Sequence, residues 1–342
     1  MLSFLNSLFT STRQSLDGPD QRLVEAAIER VVDATDPRLR AFPNYRKRLY
    51  AGVESSLAHI QSLIDGLPEP VEISHRTYAS DARLRTFFSS PARMQEAIGR
   101  APSVVDFMAR KKGLLPEHLF GLLAPRMTER QALGLELRGD QVRRDVLQQI
   151  VDFSDYRFFG AAGSEAEARD GLKERAFDYL AEMALQRMAN LKEKKSELER
   201  QRRLLRRKLD AMQAGNWGLE GMLAEQEVDR PDYQSLGQKI EAVETELLGL
   251  PCSEAGLEQS FDCINGTLKR PEGGLAMRQL KLHVDAMLVK VKDPELASSE
   301  PLELTELYSS NGRQRIVLFG YFPRAELPPE KDFFAEAGRI LG

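Results

Sequence analysis

The sequence predicts an α+β protein, predominantly helical, in which antiparallel sheet elements near 118–153 and 302–322 accompany a long inserted antiparallel helical hairpin at about 165–250. Three observations predict it. Apolar residues recur at helical spacing through most of the first third. No proline or glycine interrupts Leu172 to Ala214, where apolar residues fall at every seventh position. Asn311 and Gly312 stand between two apolar-rich runs, the pattern of a tight hairpin turn.

The region 1–115 reads as mainly helical. The opening "MLSFLNSLFTSTRQSL" places Leu5, Leu8, Phe9 and Thr12 on one helical face, which is expected to dock on the protein's own core. It lacks the basic start, long apolar stretch and small-residue cleavage site of a secretion signal. "DQRLVEAAIERVVDAT" carries Leu23, Ala27, Ile28, Val31 and Val32 at helical spacing, and a second helix runs from Tyr45 to Ile64. "VEISHRTY" alternates as a short strand, and short helices follow at "SDARLRTFF", "SPARMQEAIG" and "APSVVDFMARKKG", each opened by Ser or Pro.

Residues 116–160 read as a three-strand antiparallel meander, with strands at 118–124, 131–138 and 142–153 and turn signals at "APRMTER" and "LRGDQ". The third strand rests on Leu147, Val151 and Phe153, because Val142, Val146 and Ile150 also suit a helix.

Residues 164–250 read as a coiled-coil-like helical hairpin arm. Ser164 and Glu167 form a capping box. Phe177, Ala184, Leu191, Leu198, Leu205 and Met212 supply one heptad position, while Lys194, Lys195, Gln201 and Arg202 narrow the middle of the seam. After Pro231, Leu236, Ile240, Val243, Leu247 and Leu250 make a second seam. The stretch 192–209 sums to +6 and the returning stretch 219–248 to −6. Antiparallel pairing puts Ile240 across from Leu204 or Leu205, and Glu241, Glu244 and Glu246 beside Arg200 to Arg207. The basic helix is therefore expected to find its acidic partner within the same chain.

Residues 251–342 read as helices at "SEAGLEQSFDCINGTL" and "GGLAMRQLKLHVDAMLVKV", the Asn311–Gly312 β-hairpin, and a terminal helix at "PPEKDFFAEAGRIL". An isolated two-stranded hairpin is marginal in water, so this hairpin is expected to share a sheet with the 116–160 strands.

The 342 residues are 42% hydrophobic and 29% charged, enough for real cores. A net charge of −4 argues against a protein built wholly around nucleic acid. Two cysteines, Cys252 and Cys263, make no metal set or disulfide framework, and a reducing, cytoplasmic setting is expected. His59, His75, His118 and His283 are scattered, and no P-loop, GxGxxG or GxSxG occurs. Asp140, Asp145, Asp152 and Asp155 stand among Arg138, Arg143, Arg144 and Arg157, which suits the wet face of a sheet better than acid–base chemistry. No catalytic residue, cofactor or metal is expected, although a site assembled from distant residues is invisible at this level.

The favoured reading is a non-enzymatic interaction or scaffold protein whose partner is another protein. Trp217, Leu219 and Met222, between glycines at the arm's tip, are the expected contact. The narrow seam suits either its own second arm or another copy, which leaves a homo-oligomer open. The alternative is a nucleic-acid or anionic-membrane surface on helix 192–209, carried by Arg202, Arg203, Arg206 and Arg207.

Overall fold

The computed structural model describes residues 21–111, 115–138, 141–213, 233–250, 257–285, 287–291 and 301–328. It is a mixed α+β protein with antiparallel sheets and one long helix. Two compact units divide the chain, one from Ala58–Phe177 and Glu272–Gly342, the other from Pro19–Leu57 and Asp178–Pro271.

The first unit is built on strand β8 (Gln314–Pro323), whose residues Ile316 to Gly320 are all buried, as the near-continuous apolar run "IVLFG" requires. One edge of β8 pairs antiparallel with β2 (His118–Leu123), from His118 opposite Pro323 to Leu123 opposite Leu318. Its other edge is shared. The first half pairs antiparallel with β7 (Leu302–Tyr308), and the second half pairs in parallel with the two-residue β1 (Val71–Glu72). Strands β6 (Ala276–Leu282) and β5 (Phe158–Ala162) complete the order β5-β2-β8-β7-β6. Gly312 at φ 77° provides the β7–β8 turn foreseen at Asn311–Gly312.

Short helices α3 (His75–Tyr78), α4 (Ala82–Phe87), α5 (Pro91–Gly99) and α6 (Pro102–Arg110) lie in this unit. Ser74, Asp81 and Ser90 cap α3 to α5 by accepting backbone N–H bonds. Phe87, Phe88, Met94, Ile98 and Phe107 join Leu119, Leu123, Leu304, Leu318 and Phe322 in one buried cluster. This is the core that the first-third helices and the sheet share.

The expected three-strand meander is corrected. Strands occur at all three places, but β3 (Arg126–Arg138) pairs only with β4 (Gln141–Ser154), in a separate two-stranded ribbon, and β2 does not pair with β3. The reason is at Pro125. Its carbonyl still accepts from Ile316 N at 3.2 Å, so the chain continues along β8 past Ala124 instead of reversing. The proline removes a ladder donor without making a turn. The third strand is β, as its Val151 and Phe153 indicated, and both are buried.

A second correction concerns "GGLAMRQLKLHV". It forms β6, not a helix, paired with β7 from Ala276–Tyr308 to Leu282–Leu302. Pairing with β7 overrides the local helical pattern, because strand formation depends on neighbouring strands more than on intrinsic preference. The helix expected at "PPEKDFFAEAGRIL" begins at Pro328, and its remaining residues lie outside the described residues.

The second unit contains α1 (Gln21–Ala34), the start of α2 (Tyr45–Asp65), most of α7 (Glu165–Gln213), α8 (Tyr233–Gly249) and α9 (Leu257–Leu268). α1 buries the expected Leu23, Ala27, Ile28, Val31 and Val32, with Val24 added. Gly52 of α2 lets α9 approach closely, since a Cβ there would stand 2.5 Å from Asn265 Oδ1. Phe42 and Phe261 meet edge to face at 5.4 Å, with the Arg48 guanidinium 4.6 Å from the Phe261 ring centroid.

Candidate functional site

The sequence directs attention to the basic stretch of α7. The helix opens as expected: Ser164 Oγ accepts from Glu167 N at 3.3 Å, and the Glu167 carboxylate accepts from Gly163 N at 3.2 Å. Within the second unit, Arg30 of α1 clamps Asp178 through both guanidinium and carboxylate edges at 2.5 Å.

Beyond this clamp the seam emerges in the burial pattern. Ala184, Met188 and Leu198 are buried and Leu191, Leu205, Leu209 and Met212 half-buried. On α8, Leu236 is buried and Ile240, Val243 and Leu247 are half-buried, while most residues between them are exposed; Leu250, just past its end, is buried. These are the residues that the heptad spacing selected.

Two ion pairs join the arms. Lys194 Nζ meets Glu246 Oε1 at 2.8 Å, and Arg206 donates to Glu244. As α7 advances from Lys194 to Arg206, its partners run backward from Glu246 to Glu244, the mark of an antiparallel pair. The backbones of these two residues are about 18 Å apart along the helix at 1.5 Å per residue. Each leans toward an acidic turn midway between them, beside Arg200, in agreement with the register that sets Ile240 across from Leu204 or Leu205.

Some of the other charges have local partners. Arg200 holds Glu197 at 2.9 Å, and this bond keeps the Glu197 carboxyl below its ordinary range. Asp36 is likewise held low, chiefly by the Arg38 side chain, with Lys192 adding its field. Partners within the chain thus hold Lys194, Arg200 and Arg206 of the +6 stretch.

The four arginines of the polyanion reading do not form one patch. Arg206 belongs to Glu244, and Arg202 lies half-buried in the seam with its Nε buried and without a hydrogen-bond partner among the described residues. Of the four, only Arg203 and Arg207 are exposed without an ion pair to a carboxylate among the described residues, one turn apart on the helix. Trp217, Leu219 and Met222 lie outside the described residues.

The chemistry-bearing residues elsewhere do not converge. Among the described residues no group of three or more His, Cys, Asp and Glu is placed to hold a metal. His59 is bonded to the Leu275 carbonyl at 2.7 Å, and His118 packs edge-on against Tyr321 at 5.1 Å, both structural roles. Asp145 and Asp152 are exposed, and Asp155 is held by Arg315 and Arg157, with the Arg315 bond first among the causes that lower its carboxyl's pKa. Cys263 is buried. The paired glycines of "PEGG" precede a strand, so no helix N-terminus forms there to hold an anion.

One feature was missed from the sequence: Leu133 and Leu147, cross-strand neighbours on the β3–β4 ribbon, are 67% and 53% exposed. Their alternation is visible in "ALGLELR", but alternation does not say whether the apolar face is covered. No helix among the described residues is long and apolar enough to cross a membrane. Comparison with family models, with curated proteins and with solved structures finds no match to this chain.

Proposed function

We propose that this chain is a non-enzymatic interaction or scaffold protein of the cytoplasm, and that its α7–α8 hairpin engages another protein through Trp217, Leu219 and Met222. The observation that supports this reading is the internal pairing of the hairpin. Lys194 and Arg206 are committed to Glu246 and Glu244, so the return arm meets two of the basic helix's cations that a polyanion would otherwise find open. Exposed Leu204 and Leu248, at 56% and 76%, add apolar surface to the same two helices.

A native-lysate pull-down comparing the wild-type chain with Trp217→Ala tests it. Loss of capture at unchanged Tm supports a contact residue. Retained capture, or a fall of many degrees in Tm, rejects that role. A second reading rests on exposed Arg203 and Arg207. It requires low-salt binding to nucleic acid or anionic vesicles that disappears in Arg203→Glu/Arg207→Glu and weakens steeply with salt.

A further inference from the structure

Arg202 is a cation where the heptad pattern asks for an apolar side chain. The seam positions of α7 fall at Leu191, Lys195, Leu198, Arg202, Leu205 and Leu209, alternately four and three residues apart, so Lys195 and Arg202 hold equivalent places one heptad apart. Both are half-buried. The Arg202 Nε is buried without a hydrogen-bond partner among the described residues, which leaves the desolvation of that donor uncompensated.

The return arm does not supply the missing carboxylates. Glu246 is held by Lys194 and Glu244 by Arg206, while Glu241 is exposed. Glu199 lies between the two seam cations on α7 and makes no ion pair with either among the described residues, and one carboxylate cannot neutralise two cations.

Residues four apart share a side of a helix, so Arg202 leans to the flank that carries Arg206, and exposed Arg203 stands on that flank four residues after Glu199. On α8 the same flank is marked by Glu244, which Arg206 holds, and by Leu248 four residues on, 76% exposed. The groove between the helices therefore has a basic wall on α7, an exposed leucine on α8, and half-buried Leu205, Val243 and Leu247 beneath.

We propose that this groove takes a third helix, an acidic amphipathic segment of another protein, whose carboxylates at positions i and i+7 meet Arg202 and Lys195 and whose apolar stripe covers Leu248. Charge complementarity selects an acidic occupant, and the spacing selects a helix. Lys195 and Arg202 are about 10.5 Å apart along α7 at 1.5 Å per residue, which is the rise of any helix over seven residues, so one straight partner meets both. A second copy brings the same unpaired Lys195, Arg202 and Arg203 and does not complete the site. A nucleic-acid duplex or a bilayer surface is too broad to follow Arg202 between two helices packed about 8–10 Å apart. The inference deepens the hairpin reading, since it rests on the hairpin meeting a protein and adds the chemistry of what it meets.

Two synthetic helical peptides test it, each three heptads long with leucine at the seam positions, one carrying Glu and the other Gln at two seam positions seven residues apart. In fluorescence anisotropy with the full chain, the Glu peptide is expected to bind about tenfold tighter than the Gln peptide. Lys195→Leu/Arg202→Leu is expected to erase that preference without lowering Tm, and Lys195→Glu/Arg202→Glu, with native circular dichroism, to prefer a matching Lys peptide. Trp217→Ala is expected to leave the preference unchanged, so failure of the tip contact and failure of this groove are read separately. Binding of neither peptide, equal binding of both, or a preference that survives in the leucine variant would overturn the proposal. So would a wild-type dimer that the leucine variant dissolves, which gives the groove to a second copy, or an oligonucleotide that displaces the Glu peptide, which gives it to a polyanion.

Discussion

Gly320 and Gly312 are both glycines of β8 and its turn, yet the physics that requires each is different. Gly312 sits at φ 77° with open space around it, so alanine there meets only the left-handed backbone penalty of about 1 kcal/mol. Gly320 lies where β1 pairs alongside β8, and a Cβ would stand 2.4 Å from the Val71 carbonyl and 2.8 Å from Ile73 Cδ1. Backbone cannot step aside as a flexible side chain can. Gly320→Ala is therefore expected to cost about 1–3 kcal/mol, more than Gly312→Ala, in matched denaturant unfolding. The contrast also marks what a sequence can show at this scale. Asn311–Gly312 announces its own turn, whereas nothing in "VLFGYF" reveals that residue 71 pairs beside the fourth position.

At the scale of elements, the short helices depend on their caps. Burial pushes the Asp81 carboxyl up, but Arg83, by hydrogen bond and charge, and the first backbone N–H groups of α4 outweigh it and hold the group below its ordinary 3.8. A depressed carboxylate contributes stability at pH above its unfolded value and loses that contribution as pH falls through the folded one. Asp81→Asn keeps a competent cap and removes the ionisation, so its loss of stability between pH 5 and pH 2.5, read by urea melts, is expected to be smaller than that of the wild type. Arg202 presents the opposite case, a charged group set into an aliphatic seam with a buried donor unmet among the described residues. Replacing such a group by an apolar one of similar reach is neutral to stabilising. Arg202→Leu is expected to raise stability by about 1 kcal/mol in thermal unfolding, with a loss counting against its place in the seam. Both seams were legible because their spacing is local and repeats over many turns. The meander and the β6 segment were misread because one turned on whether Pro125 reverses the chain, and the other on pairing with β7, whose nearest partner, Leu302, lies twenty residues beyond Leu282. Neither fact is local.

Across the whole molecule, charge is arranged so that a strongly basic helix exists inside a chain of net −4. Counting charge by segment made this legible, since equal and opposite sums on two arms predicted acidic residues beside Arg200 to Arg207; Arg206–Glu244 falls in that stretch, while Glu246 reaches Lys194 outside it. The same count was blind to Arg202, because a sum does not distinguish a seam position from an outer one. Exposed pairs contribute only about 0.2–1 kcal/mol each, so the acidic arm does little to hold the fold together; burial of the leucine and isoleucine seam does that. What it does control is the field the helix offers to other molecules. Glu244→Lys/Glu246→Lys frees Lys194 and Arg206 and brings the net charge from −4 to zero while sparing every seam residue. The double variant should remain folded, with Tm within a few degrees of the wild type, but elute from heparin at clearly higher salt than the wild type, which should leave at low salt. Tight salt-resistant retention of the wild type itself would mean that the arginines already face outward as a binding surface, and that the acidic arm is no shield.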